Sequence, residues 1–250
     1  GGESTRPGAQ AIPADEQCRR TLGVIEGIRK RSDVAISIDT RDPTVGQRAL
    51  KAGADIVNDV SACAHPGWVP VLLDRPDVPV VLMHMRGTPE TMQTMTSYPD
   101  GVLAEIRRFF ESRLDELEAA GIGRDRVILD PGIGFAKEAA QNLEVLGGLE
   151  ELRSLGRPIL VGASRKVFLG HLLERATSSS PGARRGALEG SAVTRIPAER
   201  DVATVVVHAI AALAGAAILR VHNVGYARDL AHVLEGFARF GTAHERREER

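Results

Sequence analysis

At 250 residues and a formal net charge of −1, the chain has the length of one large α/β domain and no cationic excess to favour nucleic acid or an anionic membrane. Its residues are 43% hydrophobic and 26% charged, which suits a sizeable core, and no apolar run approaches the roughly 18 residues that span a bilayer. Cys18 and Cys63 stand in neither a metal-binding nor a redox spacing, which predicts reduced thiols in a cytoplasmic protein.

The chain begins on "GGESTRPGAQ", a polar loop bounded by Gly and Pro. Cys18, Leu22, Ile25 and Ile28 then recur at helical spacing. Six β-branched or apolar runs read as strands: "VAISID" (34–39), "DIVND" (55–59), "PVVLMHM" (79–85), "RVILD" (126–130), "PILVG" (158–162) and "AILRVHN" (217–223). Helical periods fill the intervals. Leu103, Ile106, Phe110, Leu114 and Leu117 lay one apolar stripe on a helix that ends near "AAGIG". Residues 176–200 lack any period and predict a mobile loop insertion with at most one helical turn, before a helix from near Asp201. Leu230, Val233, Leu234 and Phe237 mark a last helix, and 241–250 a solvated, charged tail.

Alternating strands and helices predict a parallel sheet with helices outside it, either a barrel or a doubly wound open sheet. Asp39, Asn58, His84, Asp130, Arg220 and His222 all fall at or near carboxyl ends of predicted strands. Only a barrel brings that many strand ends to one point, and no GxGxxG follows a first strand. Side-chain parity adds detail. Ala35, Ser37 and Asp39 share one face, as do Ile218, Arg220 and His222, leaving Ile36, Ile38, Leu219 and Val221 on the other. An inward Arg220 is costly unless an anion or the pocket mouth receives it.

Four segments carry chemistry: "ESTRPG" (3–8), whose hydroxyls and guanidinium are by themselves only a polar loop, and three strand ends. "DPGIGFAK" (130–137) aims Asp130 into a pocket with Phe135 as a wall, although Asp-Pro-Gly is also an ordinary turn. "VGASRK" (161–166) offers Gly162 for close approach of a flat ligand and Lys166 as a donor, or simply starts a helix with two solvated cations. "RVHN" (220–223) pairs a planar guanidinium with an imidazole, a pairing suited to an anion.

The ordered set "GGESTRPG", "SIDT", "NDV", "LMHMRGTP", "LDPGIGFAK", "GASRK", "RVHN" resembles the dihydropteroate synthases across nearly the whole chain. The resemblance implies a TIM (β/α)8 barrel, a single pterin-binding domain over 1–250 that is partial at its N-terminus. It implies a transferase of folate biosynthesis that joins 6-hydroxymethyl-7,8-dihydropterin diphosphate to 4-aminobenzoate, giving 7,8-dihydropteroate and diphosphate. Mg²⁺, a homodimer and sensitivity to sulfonamides come with it. Carried over by motif, the pterin pocket comprises Asp39, Asn58, Asp130, Lys166 and Arg220, with Met85, Phe135 and Gly162 as walls. Arg220 and His222 take the diphosphate, and Thr5, Arg6, Pro7 and Ser164 seat 4-aminobenzoate. Lys166, Arg220, His222 and Asp39 are the candidate catalytic residues.

In that family "GGESTRPG" follows the second barrel strand, and the loop of the first carries an Asn that helps bind the metal. About six of eight strands are therefore expected here, with the first two missing and no metal ligand in this chain. Six strands do not close a barrel at the normal tilt, so the 250-residue chain alone is expected to be poorly soluble and inactive. Ala136 replaces a more usual Gly, and Val167 follows "SRK" where the family often has Ser. Two other readings stay open: a pterin-binding methyltransferase barrel serving corrinoid proteins, and a non-catalytic homologue.

Overall fold

Pro13 closes the opening loop and starts α1 (Ala14–Arg29), whose first turn carries Asp15 and Glu16 and whose last carries Arg29, matching the helix dipole. The computed structural model describes residues 2–5, 8–175 and 193–248. α1 buries Cys18 and Ile25 and packs Leu22 against the core, but Ile28 is exposed, so the expected stripe stops one turn early. β1 (Ser37–Asp39) leads to α2 (Pro43–Lys51), which Asp42 caps by accepting the Thr44 and Val45 N–H groups. β2 (Ile56–Asp59), α3 (Trp68–Asp74), β3 (Val80–Met83), α4 (Val102–Ala119) and β4 (Val127–Asp130) follow. Next come α5 (Ala139–Gly147), α6 (Leu149–Arg153), β5 (Leu160–Val161) and α7 (Val167–Arg175). A 3₁₀ turn at Pro197–Arg200 opens directly into α8 (Asp201–Leu213), then β6 (Ile218–Leu219) and α9 (Val224–Glu248). Of the expected loop at 176–200, residues 176–192 lie outside the described residues and the remainder ends in that single turn, and the last two residues of the tail also lie outside.

β1 to β4 form one parallel sheet in sequence order, and β5 pairs with β6 in parallel. A parallel bridge between Leu129 and Ile159 joins the two. Each strand sits beside its predecessor, with no reversal of order of the kind that defines a doubly wound sheet. Parallel strands in sequence order with helices between them fit the wall of a barrel, and among the described residues no ladder links β6 back to β1. The assigned strands are shorter than their apolar runs. Pairing nevertheless continues past them, as in Ile56 N–H to Ile36 O and Arg220 N–H to Val161 O, so the longer runs are partly justified.

The helices cover the outer face. Ile106, Phe110, Leu114 and Leu117 of α4 are all buried, each stabilising the fold by about 1.5–3 kcal/mol through apolar burial. Trp68 and Leu72 of α3 are fully buried beside α2. Gly46 lies inside α2 because an added Cβ would stand 2.3 Å from the Trp68 ring. The stripe expected in the last helix differs: Leu230 is buried, but Val233 and Phe237 are exposed. Among the described residues, no helix is long and apolar enough to cross a membrane.

Candidate active site

The rim is set by strand register. Asp39 pairs with Asn58 across β1 and β2, and Asn58 is level with Val81 and so with Ile128, which leaves Asp130, the partner of Met83, two residues further toward the carboxyl end. Arg220, just past β6, reaches across to them. Its Nη2 donates to Asp130 Oδ2 at 2.9 Å and its Nη1 to Asn58 Oδ1 at 3.3 Å. Asp130 is fully buried, and its other oxygen accepts the Gly132 N–H at 2.8 Å. Asn58 is 5% exposed, and its Nδ2 is a buried donor with no partner among the described residues. A buried donor without an acceptor costs about 1–3 kcal/mol, so a ligand carbonyl or ring nitrogen there would recover it.

Gly162 makes the bottom of this cluster. A Cβ at that position would come within 2.6 Å of Arg220 Nη2, so the guanidinium lies flat against bare backbone. Lys166 stands opposite, its Nζ 4.0 Å from the centre of the Phe135 ring. Burial, with the nearby Arg220 charge adding and Asp130 opposing, draws the Lys166 ammonium down to about 8. Gly134 keeps this packing open, since its Cβ would meet Lys166 Cδ at 3.0 Å and its φ is +76°. Met85 packs half-buried against the small cluster that contains Phe135.

Ser164 is buried and engaged with His222: its hydroxyl accepts the His222 backbone N–H at 3.1 Å and meets the ring Nδ1 at 2.9 Å. The loop between them and Lys166 is fixed from α8. Arg165 adopts a left-handed φ of 58° and forks onto Asp201 at 2.7 and 2.9 Å, and Asn223 also donates to Asp201. Beneath it, the Ala163 N–H donates to His208 Nε2 at 3.3 Å, and burial draws the His208 ring down to about 4.

The site residues expected from sequence distribute as follows. Asn58, Asp130, Gly162 and Arg220 meet in one cluster, Lys166 and Phe135 form its side, and Ser164 joins His222. Asp39 is exposed at the rim, level with Asn58. Thr5 is half-buried on the opening loop, which is tied down by Glu3 pairing with Arg41 and by the Gly8 N–H donating to Pro89 O. Arg6 and Pro7 lie outside the described residues. His84, another polar strand end, is 2% exposed and turns away to Lys137. Lys137 and the Arg165–Asp201 pair escaped the sequence reading, because their roles depend on left-handed backbone at 136 and 165 that no spacing announces.

Residues 1–222 match the family described as pterin binding enzyme. The chain is 40% identical to the dihydropteroate synthase of Synechocystis over 224 residues, covering 90% of this chain and 71% of that protein. It belongs to the dihydropteroate synthase family. The Escherichia coli K12 dihydropteroate synthase is 37% identical over 235 residues, 94% of this chain and 76% of its own. The crystal structure of the Yersinia pestis dihydropteroate synthase with a sulfonamide drug complex superposes with a TM-score of 0.83 at 35% identity, covering 95% of this chain and 78% of that one. Dihydropteroate synthase from Xanthomonas albilineans with 4-aminobenzoic acid gives 0.82 at 38% identity, covering 95% and 77%.

Proposed function

We propose that the rim around Asn58, Asp130, Lys166 and Arg220 condenses 6-hydroxymethyl-7,8-dihydropterin diphosphate with 4-aminobenzoate. The observation that carries this is the Arg220 fork. A guanidinium has the planar N–C–N donor pattern of a pterin's aminopyrimidinone edge, and it lies on the two side-chain acceptors that such an edge requires. The pterin takes over Asp130, and its ring oxygen or nitrogen meets the unpartnered Asn58 Nδ2. Arg220, displaced from Asp130, turns with His222 to the diphosphate and over the ring. Burial of these polar groups selects the heterocycle, since a mismatched ring leaves them unpaired.

In the reaction the methylene C–O bond breaks, its electron pair leaves with the diphosphate, and the 4-aminobenzoate nitrogen forms the new C–N bond and then loses a proton. The Arg220 guanidinium and N–H donors of the His222 ring stabilise the charge that develops on the leaving group. The Lys166 ammonium holds the ring oxygen or N5, and Asp39 stands at the exposed rim. Thr5, Arg6, Pro7 and Ser164 seat the second substrate, the position a sulfonamide would contest. For the magnesium implied by the resemblance, the described residues hold no cluster of three His, Cys, Asp or Glu. A cytoplasmic location fits the unpaired, buried Cys18 and Cys63.

A homodimer belongs to the same proposal. Val202, Val206, Ile210 and Leu213 stand exposed along one face of α8, a stripe that association would cover. Val206→Glu should then give monomers by light scattering, and an unchanged dimer would count against that face. For the reaction itself, the full-length protein is incubated with both substrates and dihydropteroate is followed by chromatography. Product formed in step with diphosphate is expected. Methyl transfer from a methyl-tetrahydropterin in its place would favour the corrinoid-linked reading, and neither turnover nor pterin binding would favour the non-catalytic one.

A further inference from the structure

We propose that Lys137 is a positioning residue for the pterin site, whose ammonium clamps the 131–136 turn onto the end of β3 and so sets the Asp130 carboxylate and the Phe135 ring. The inference rests on the pterin pocket proposed above. Lys137 is 6% exposed, and its ammonium reaches backbone carbonyls and His84 rather than the side chains proposed to meet substrate. Its Nζ instead lies 3.0 Å from His84 Nδ1, 3.1 Å from Gly132 O and 3.1 Å from Phe135 O, with His84 O at 3.4 Å. An ammonium has three protons, and three close acceptors converge on it.

The turn is built to supply those acceptors. Gly132, Gly134 and Ala136 all have positive φ, at 69°, 76° and 50°, which folds the carbonyls of 132 and 135 inward to one centre. An added Cβ at Gly132 would stand 2.0 Å from His84 O and 3.4 Å from Lys137 Nζ, so the turn has no slack. Two connections lead from the clamp to the pocket. The Gly132 N–H holds Asp130 Oδ1, and the Phe135 ring lies against the Lys166 ammonium. His84 serves as the neutral acceptor, because burial first, then Lys137 and Arg86, keep its ring well below ordinary imidazole values. The lysine itself is drawn down to about 7 by burial, against the pull of Asp130. A buried cation at a position that Met could fill is costly unless its donors are used, and here they order the wall of the pocket.

The test uses the full-length protein with Lys137→Met, Lys137→Gln and, as a reference, Asp130→Asn. Calorimetric titration with 6-hydroxymethyl-7,8-dihydropterin diphosphate is paired with KM for 4-aminobenzoate and with circular dichroism of the fold. For a folded Lys137→Met, pterin Kd should rise about 10- to 100-fold, the effect of loosening a site by around an ångström, while KM for 4-aminobenzoate stays within about threefold. Lys137→Gln, which keeps two N–H donors, should fall between this variant and the wild type. Folded variants that bind the pterin as the wild type does would overturn the inference, as would loss of fold in both, which makes Lys137 a stability residue only. If Asp130→Asn loses the pterin while Lys137→Met keeps it, the clamp alone fails. If Asp130→Asn also binds normally, the pocket itself is wrongly placed.

Discussion

In the proposed site Arg220 stands where the pterin edge would lie, and that gives its removal two opposite consequences. Arg220→Ala frees Asp130 and Asn58 from the guanidinium that now spans them. A pterin without its diphosphate should therefore bind Arg220→Ala as well as the wild type or better. The diphosphate form should lose about tenfold or more, since a charge-assisted contact is worth roughly 1.5–3 kcal/mol. Equal losses for both ligands in calorimetry would refute the place-holder role. Lys166 sets the pH response at the same scale. Its ammonium titrates at about 8, below the ordinary lysine value, so the free protein carries the charge below that pH and loses it above. kcat/KM for the pterin diphosphate should decline as pH rises through about 7 to 8, where the Lys137 and Lys166 ammoniums are both lost, and Lys166→Arg should keep only the Lys137 part of that decline. A wild-type profile flat to about pH 9 would contradict the assignment.

At the scale of elements, α8 acts as the support of the 163–166 loop. Asp201 at its first turn fixes Arg165, Thr204 Oγ1 accepts the Arg165 N–H, and His208 one turn further on accepts the Ala163 N–H. His208 must be neutral at Nε2 to accept. Its folded value of about 4 lies below the unfolded 6.5, so the unfolded chain binds the extra proton first. The stability it contributes is complete above about pH 6.5 and drains away as pH falls toward 4, on the order of 3 kcal/mol in total. His208→Gln still offers an acceptor and cannot titrate. Urea unfolding between pH 7 and 4.5 should show a smaller drop for His208→Gln than for the wild type, and parallel curves would dismiss the support role.

At the scale of the whole molecule, the parallel pairing was legible from the alternation of strands with helices, and the polar strand ends from the alternation of side chains between faces. Ile38 is buried while Ser37 and Asp39 are exposed, and Arg220 points to the same rim as Asp130, as parity required. The α4 stripe was legible for the same reason, a long period with one buried face. The turns were not. Arg165 sits in left-handed backbone, which a non-glycine residue does not signal, so its fork onto Asp201 has no mark in the sequence, while the left-handed Ala136 that turns Lys137 inward shows only in its standing where the family usually has Gly. Strand lengths were overread because apolar runs continue past the last ladder pair, and the Val233 and Phe237 stripe is open because nothing among the described residues covers it.

The central claim is that strand ends far apart in sequence converge to read one flat heterocycle and its anionic leaving group. The direct measurement is a crystal structure of the full-length protein with a bound 7,8-dihydropterin diphosphate. The aminopyrimidinone edge should lie about 3 Å from Asp130 and Asn58, with Lys166 on the ring and the Arg220 side chain moved toward the phosphates. A pterin bound elsewhere, with Arg220 still seated on Asp130, would contradict it.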